Sequence, residues 1–235
     1  MKQNLRLLMI AACLESPSSL AADQFGNGGD AVVCPSESGR SVELYDFVEA
    51  PILYDHEIVL PAEGNWFEIA EHVLERIRNV DPLRYGVYLG WLSEFESERL
   101  LVDGDLEDIP DSEHWVIPSG CAVVQAAIQR PPDLSGYRYI ISQALWEDMQ
   151  PGHRAGLVLH ELFYREALGA LGHTNSRKTR YFMTFIASQT EPLSFSAYNR
   201  AATESDFFTL PPDPVNYFEL GFERTIELNT WRQAS

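Results

Sequence analysis

A stripe of apolar side chains runs along the chain from Trp66 to about Val80. Its members recur every three or four positions, which places them on one face of an α-helix. They are Phe67, Ala70, Val73, Leu74 and Ile77. Asn65 stands at the N-cap position, and Asp81-Pro82 stops the pattern. The segment therefore predicts an amphipathic helix.

Three further segments favour helices. The first runs from Tyr85 to Leu101 and contains two glycines that weaken its pattern. The second runs from Pro151-Gly152 to about Leu168, where glycines end it. The third begins at a capping residue, Asn175 or Ser176, and runs to about Ser188.

Shorter runs of β-branched and alternating residues predict strands. The runs are Ala31 to Cys34, Ser41 to Phe47, His114 to Pro118, Cys121 to Ile128 and Tyr137 to Ser142, with a closing strand or hairpin from Tyr217 to Leu228. Helices and strands are segregated along the chain and do not alternate strictly, which favours the α+β class. We expect a single domain in which a small, largely antiparallel sheet packs against several helices.

The N-terminal residues have the order of an export signal. Basic residues precede a short apolar run, and small residues stand before Asp23. This order predicts a signal peptide at 1–22 and a mature domain at 23–235, located in the periplasm or secreted. A lipoprotein is the alternative, because the run that ends at Cys13 resembles a lipobox.

The chain is strongly acidic, with 17 basic and 35 acidic residues and a formal net charge of −18 at pH 7. Without residues 1–22 the counts are 15 and 34, which gives −19. Such a surface repels nucleic-acid phosphates, so we expect no nucleic-acid partner. Cationic substrates, divalent metals or simple solubility are compatible with it. No apolar stretch approaches the roughly 20 residues that span a bilayer, so the sequence predicts no transmembrane segment.

Two cysteines, Cys34 and Cys121, belong to the predicted mature chain. In an oxidising compartment a lone pair most simply forms a disulfide, and two unrelated buried thiols are the alternative. A bridge across this separation would contribute about 4 kcal/mol by restricting the unfolded chain.

Candidate chemistry is concentrated between positions 155 and 182. The pair His160-Glu161 ends an apolar run inside a predicted helix, and this context resembles the active-site helix of zincin metallopeptidases. In zincins two histidines four positions apart hold zinc, and the glutamate after the first activates the metal-bound water. The resemblance implies that His160 binds a divalent metal, zinc, and that Glu161 is the general base.

The zincin pattern is incomplete, because Tyr164 occupies the position of the second histidine. His173 follows a glycine-rich stretch at which the chain could turn back toward His160, and this pair is the predicted metal site. His153 is the alternative second ligand, since it lies two helical turns before His160 on the same face. Tyr164 or Arg180 would stabilise a developing oxyanion.

These residues also have ordinary structural explanations. Glu161 and Arg165 have the i,i+4 spacing of a helical ion pair, and His160 could be a neutral core histidine. The clustering of titratable and hydrogen-bonding side chains within 21 positions favours a site. They are His160, Glu161, Tyr164, Arg165, His173, Asn175, Ser176 and Arg180.

Most of the mature chain also resembles an uncharacterised family of exported bacterial proteins. The residues that carry this likeness are Gly26-Asn27-Gly28-Gly29-Asp30 with Val33-Cys34, Leu159-His160-Glu161 through Tyr164-Arg165-Glu166, and Gly172-His173 with Asn175-Ser176 leading to Arg180-Tyr181-Phe182. The resemblance implies export and a shared architecture, and it implies no activity.

Two functional hypotheses follow. The leading one is an exported, zincin-like, metal-dependent hydrolase of a peptide or cell-wall substrate, with Glu161, Tyr164 and Arg180 as catalytic residues. The alternative is a non-catalytic binding or inhibitor protein of the cell envelope with a degenerate site, which recognises another envelope protein. The clustered side chains favour the first hypothesis, and the tyrosine at position 164 favours the second.

Overall fold

The structure is a computed structural model, and it describes residues 26–27, 29–37, 39–107, 109, 116–132, 134–189 and 193–207. The helices in this part of the chain are α1 (Tyr45–Leu53), α2 (Trp66–Glu75), α3 (Pro82–Glu98), α4 (Gln143–Asp148), α5 (Pro151–Gly169), α6 (Arg177–Ala187) and α7 (Phe195–Glu204). The strands are β1 (Gly26–Asn27), β2 (Asp30–Ser36), β3 (Gly39–Leu44), β4 (Arg99–Val102), β5 (Ala122–Gln125), β6 (Ala127–Gln129) and β7 (Tyr139–Ser142).

The strands form two small sheets, one in the order β1-β6-β7-β4 and the other in the order β3-β2-β5. The only parallel pair among the described strands is β4 with β7. The chain passes from one sheet to the other at two breaks. Gly29 lies between β1 and β2, and Ala126 lies between β5 and β6. The two breaks are joined, because the Gly29 carbonyl accepts hydrogen bonds from the backbone N–H groups of Ala126 and Ala127.

Helix α5 lies at the centre of the fold. Every residue from position 155 to position 167 is buried, so the polar side chains of this helix are enclosed together with the apolar ones. It contacts α2, α3 and α6, and also β3 and β6. At Gly156 a Cβ atom would lie 2.5 Å from the Phe47 ring, which is why glycine is needed at this approach. Enclosed polar groups must find hydrogen bonds within the protein.

The predicted α+β class is confirmed, with two small sheets where the sequence predicted one. Helix α2 begins at Trp66 as predicted. Asn65 forms its N-cap, in a capping box completed by Glu68. Helix α6 begins directly after Ser176, one of the two predicted capping residues.

Several predicted elements were wrong at their boundaries, among them α2, which ends at Glu75 and not near Val80. The strand predicted from Ser41 to Phe47 ends at Leu44, and the chain turns directly into α1. The helix predicted from Tyr85 to Leu101 begins at Pro82 and ends at Glu98, because the next four residues pair with β7. The strand predicted from Cys121 to Ile128 is broken at Ala126 into β5 and β6. Helices α1, α4 and α7 were not predicted.

Several sequence predictions fall on residues that the structure does not describe. They concern the signal peptide at 1–22, the first two residues of the strand predicted from His114 to Pro118, and the closing strand at 217–228. These stay predictions. The other residues of the strand predicted from His114 to Pro118, at 116–118, have no regular secondary structure, so that part of the prediction was wrong.

The predicted disulfide between Cys34 and Cys121 is confirmed. It joins β2 to the turn that precedes β5, and these strands are neighbours in the three-stranded sheet. Within the described part of the chain, no helix is both long enough and apolar enough to cross a membrane.

Candidate functional site

His160 is buried in the middle of α5 and is paired with Asp46 from the first turn of α1. The imidazole Nδ1 lies 2.7 Å from Asp46 Oδ2, and the two side chains are only 1 % and 0 % exposed. Burial alone would lower the pKa of His160, but the Asp46 carboxylate outweighs burial and raises this pKa to about 9. At neutral pH the ring is therefore an imidazolium that donates its Nδ1–H to Asp46.

A second charged pair lies beside the first. Arg180 on α6 donates from Nε to Glu49 Oε1 at 2.6 Å and from Nη1 to Ser176 Oγ at 3.0 Å. Burial raises the pKa of Glu49, and the neighbouring guanidinium opposes that rise. Asp46 and Glu49 are three positions apart on α1 and share a face. That helix therefore presents two carboxylates to two buried cations.

Glu161 faces the break between β1 and β2. Its Oε1 accepts the backbone N–H of Gly29 at 2.7 Å, and its Oε2 accepts Gln129 Nε2 at 3.0 Å. Gln129 Nε2 also donates to the main-chain oxygen of Glu161 at 2.8 Å. Burial raises the pKa of Glu161, and the charge on His160 opposes the rise. The carboxyl group thus satisfies backbone and amide donors inside the protein.

The remaining predicted residues divide into two groups. Tyr164 is buried with its ring centre 5.8 Å from that of His160, and Arg180 belongs to the same cluster because its charge acts on His160. His173 lies elsewhere, with its ring edge-on to Phe207 at 5.4 Å. Burial, and then the charge on Lys178, lower the pKa of His173, and Glu166 opposes this shift.

The helical ion pair offered as an alternative is replaced by another contact. Arg165 pairs with Glu98, at 2.9 Å from Nη1 to Oε2, and Glu161 is not its partner. The guanidinium also lies 4.4 Å from the centre of the Trp91 ring. Arg165 therefore joins α5 to the end of α3.

Among the described residues, no group of three or more histidine, cysteine, aspartate or glutamate side chains could hold a metal ion. The His160 ring directs its Nδ1 at Asp46, whose carboxylate raises the pKa of the ring to about 9. The alternative ligand, His153, accepts the backbone N–H of Leu44 at its Nδ1, 3.1 Å away. The zinc site stays a prediction.

Comparisons with models of protein families, with curated proteins and with solved structures found no match. The resemblance to zincins and the resemblance to a family of exported proteins therefore stay predictions. What the site can do has to be argued from its own geometry.

Sequence reasoning missed Asp46 and Glu49, because it assigned Asp46 to a strand and gave Glu49 no role. The available signal was the spacing, since two acidic residues three positions apart among aromatic and aliphatic neighbours suit the inner face of a helix. It also missed Gln129, which reaches Glu161 from a distant strand. No local pattern marks that contact.

A second buried network, nearer the C-terminal end of α5, was also missed. The Arg84 side chain lies fully buried and pairs with Glu166, at 2.9 Å from Nη2 to Oε1. The hydroxyl groups of Tyr88 and Tyr198 contact the same pair, and Asp81 holds the outer side of the guanidinium at 2.8 Å. An arginine among the apolar positions of α3 was the signal for this network.

Proposed function

We propose that this protein is a non-catalytic binding or inhibitor protein of the cell envelope. The observation that carries the proposal is the complete enclosure of His160 and Glu161, which are 1 % and 0 % exposed. A general base must come within about 3 Å of a water or a substrate proton. Glu161 instead holds the Gly29 N–H and the Gln129 amide.

The enclosed charges have a structural use that supports the proposal. His160 ties α5 to α1, Arg180 ties α6 to α1, and Glu161 ties α5 to the strand break at Gly29. Breaking a buried, hydrogen-bonded pair typically costs about 3–5 kcal/mol, because an unpaired charge is left inside the protein. We infer that these contacts select one arrangement of helices and strands, and that this rigid scaffold presents a binding surface.

Export completes the proposal. The order of residues in 1–22 is that of a signal peptide, and the Cys34–Cys121 disulfide is the kind of bond that persists in oxidising compartments. We therefore place the binding protein in the periplasm or outside the cell.

The test compares the wild-type protein with Glu161→Gln and with His72→Gln, a control on the exposed face of α2. Each protein is assayed for zinc retained after dialysis, for hydrolysis of fluorescent casein and purified peptidoglycan, and for unfolding in urea. We expect no hydrolysis by any of the three proteins and a loss of stability in Glu161→Gln alone. The substituted amide has one acceptor oxygen in place of two, so it would lose a hydrogen bond from Gln129, which costs about 1–3 kcal/mol. Chelator-sensitive hydrolysis that Glu161→Gln abolishes, with its stability intact, would refute the proposal.

The zincin-like hydrolase is the second candidate, and one observation favours it. The Asp46 carboxylate orients the His160 ring, and the opposite nitrogen, Nε2, has no hydrogen-bond partner among the described residues. A carboxylate that orients a histidine is an arrangement that enzymes use. Activity of this kind would require the cover over His160 to open, and the same hydrolysis assay detects it.

A further inference from the structure

Three consecutive apolar residues at the end of α1 are exposed to solvent. They are Pro51, Ile52 and Leu53, and the last two are 65 % and 42 % exposed. Single exposed apolar residues are ordinary on a protein surface, whereas a consecutive run is unfavourable in water unless a partner covers it. The run is therefore a candidate for an interaction surface.

Aromatic residues extend this run onto α6. The ring centre of Tyr54 lies 5.4 Å from that of Tyr181, and the His56 ring lies 5.3 Å from Tyr181 and 5.7 Å from Phe185. All four of these residues are partly exposed. Tyrosine is enriched where proteins bind one another, because it buries a large ring and keeps a polar end. We refer to the surface formed by Ile52, Leu53, Tyr54, Tyr181 and Phe185 as the apolar patch.

Hydrogen bonds hold the chain at the apolar patch in one conformation. The backbone N–H groups of Tyr54 and His56 both donate to the carbonyl of Ala50, at 3.0 and 3.2 Å. The Tyr54 hydroxyl donates to Glu49 Oε1 at 3.3 Å, so the patch is anchored to the buried pair of Glu49 and Arg180. A surface that is already ordered loses little conformational entropy when a partner binds.

Exposed carboxylates flank the apolar patch. Asp55 and Glu57 follow α1 along the chain, and Glu204 accepts a hydrogen bond from the hydroxyl of Tyr181. Arg200 is a basic group whose charge reaches the same tyrosine, and the three acids outnumber it. This excess agrees with the net charge of −18 for the whole chain. Complementary charge favours a cationic partner and raises its association rate.

We propose that the apolar patch binds an envelope protein through a segment that carries both apolar and basic side chains. The inference rests on the proposed function, because it names the binding surface and the partner class of a non-catalytic binding protein. Apolar side chains of the partner would cover Ile52 and Leu53, and its lysine or arginine groups would face Asp55 and Glu57. An anionic lipid surface suits the patch less well, since the carboxylates at its edge repel phosphate groups.

The experiment titrates the disulfide-bonded protein with short peptides and follows its backbone amide signals by NMR. The first peptide alternates leucine with lysine, the second replaces each lysine by glutamate, and the third replaces each leucine by serine. We expect saturable binding of the first peptide, with shifts confined to the apolar patch and the residues next to it. The other two peptides should bind at least about tenfold more weakly, which corresponds to about 1.4 kcal/mol. Equal binding of either one would overturn the assignment to an apolar, basic segment.

Variants test the apolar and the charged part of the surface separately. Leu53→Ser should weaken binding of the leucine–lysine peptide about tenfold, because it removes apolar area from the contact. Its matched control is Leu134→Ser, which removes an exposed leucine between β6 and β7. Equal binding by these two variants would overturn the inference.

Asp55→Asn removes a charge and keeps a residue that tolerates the left-handed backbone at this position, where φ is 57°. It should weaken peptide binding about threefold and reduce the dependence of binding on salt. Its matched control is Glu94→Gln, which removes an exposed carboxylate on α3. Two variants of the surface are used so that a folding defect in one leaves the other to decide. Equal salt dependence in Asp55→Asn and Glu94→Gln would contradict a basic partner.

Two further measurements distinguish the other occupants of an apolar surface. Sedimentation velocity of the protein alone detects a second copy, and flotation with phosphatidylglycerol vesicles detects a lipid surface. We expect a monomer and no vesicle binding. A dimer that Leu53→Ser dissociates, or vesicle binding that it abolishes, would overturn the assignment to a partner protein.

Failure of the apolar patch and failure of the proposed function give different results. If no peptide binds and no hydrolysis is detected, the patch is wrong as the binding surface and the non-catalytic function still stands. If hydrolysis depends on Glu161, the non-catalytic function is wrong and the peptide titration still decides whether the patch binds.

Discussion

The buried pair of His160 and Asp46 should make the stability of the protein depend on pH in the alkaline range. The folded protein holds the imidazole proton with a pKa of about 9, whereas an unfolded chain holds it with a pKa of about 6.5. The contribution is therefore fully present below pH ~6.5 and is lost as the pH rises through about 9. Three half-buried histidines affect stability in the opposite pH range: His56, His153 and His173. Burial lowers their pKa values, so they destabilise the folded protein only when the pH falls toward acid.

The magnitude follows from the two pKa values. Each pH unit between them changes the free energy of unfolding by about 1.4 kcal/mol, so full deprotonation of His160 removes about 3 kcal/mol. No solvent screening has to be allowed for, since both side chains are enclosed. For a chain of this size the loss corresponds to a fall in the melting temperature of roughly 6–12 °C.

Two measurements check this reasoning. NMR titration of the imidazole should show that His160 remains protonated through neutral pH and titrates near pH 9, and urea unfolding should show the accompanying loss of stability. In Asp46→Asn the carboxylate is gone, so burial dominates and the pKa of His160 should fall below its ordinary value. His72→Gln, on the exposed face of α2, should leave the His160 titration unchanged. A wild-type His160 that titrates below pH ~6.5 would refute the assignment of a charged core pair.

Three further predictions concern stability and are measured by urea unfolding. Gly156→Ala should destabilise the protein by about 1–3 kcal/mol, because the new Cβ meets the Phe47 ring. The control Gly86→Ala has open space around its Cβ and should stabilise α3 by about 0.5–1 kcal/mol. Equal effects of the two substitutions would contradict the close approach at α5. Glu166→Ala should cost about 3–5 kcal/mol by leaving a buried arginine unpaired, and a cost below about 1 kcal/mol would argue against the buried network. Replacing Cys34 and Cys121 together by serine should cost about 4 kcal/mol, and an unchanged midpoint would show that the bridge does not restrict the unfolded chain.

The sequence predicted the elements whose local signals agree with their packing. The apolar period and the capping residues located α2, α5 and α6, because each of these helices begins at a clear signal. Helix α1 escaped prediction because alternation at Val42 and Leu44 continues a strand pattern up to its first residue. What makes the chain helical there is a tertiary effect: Asp46 and Glu49 must both turn inward to meet cations on α5 and α6.

The candidate site shows the same limit. Helix geometry fixes neighbours within two turns, so the sequence could predict that His160, Glu161 and Tyr164 lie on one helix, which is α5. The return of His173 depended on the path of the chain after Gly169. The backbone N–H of His173 donates back to the carbonyl of Ala167, and the ring then turns toward Phe207, three residues after α7. Periodicity carries no information about such a turn.

The adjacent pair His160-Glu161 can be explained without catalysis. Successive residues of an α-helix point about 100° apart, so on an enclosed helix two neighbours must meet different elements. His160 reaches the carboxylate of Asp46 on α1, and Glu161 reaches the Gly29 N–H at the strand break. A Cβ on Gly29 would lie 2.4 Å from Cδ1 of Leu157, so a larger residue at this position would have to displace the end of that side chain. Gly29 and Glu161 therefore act as one unit that joins the strand break to the central helix.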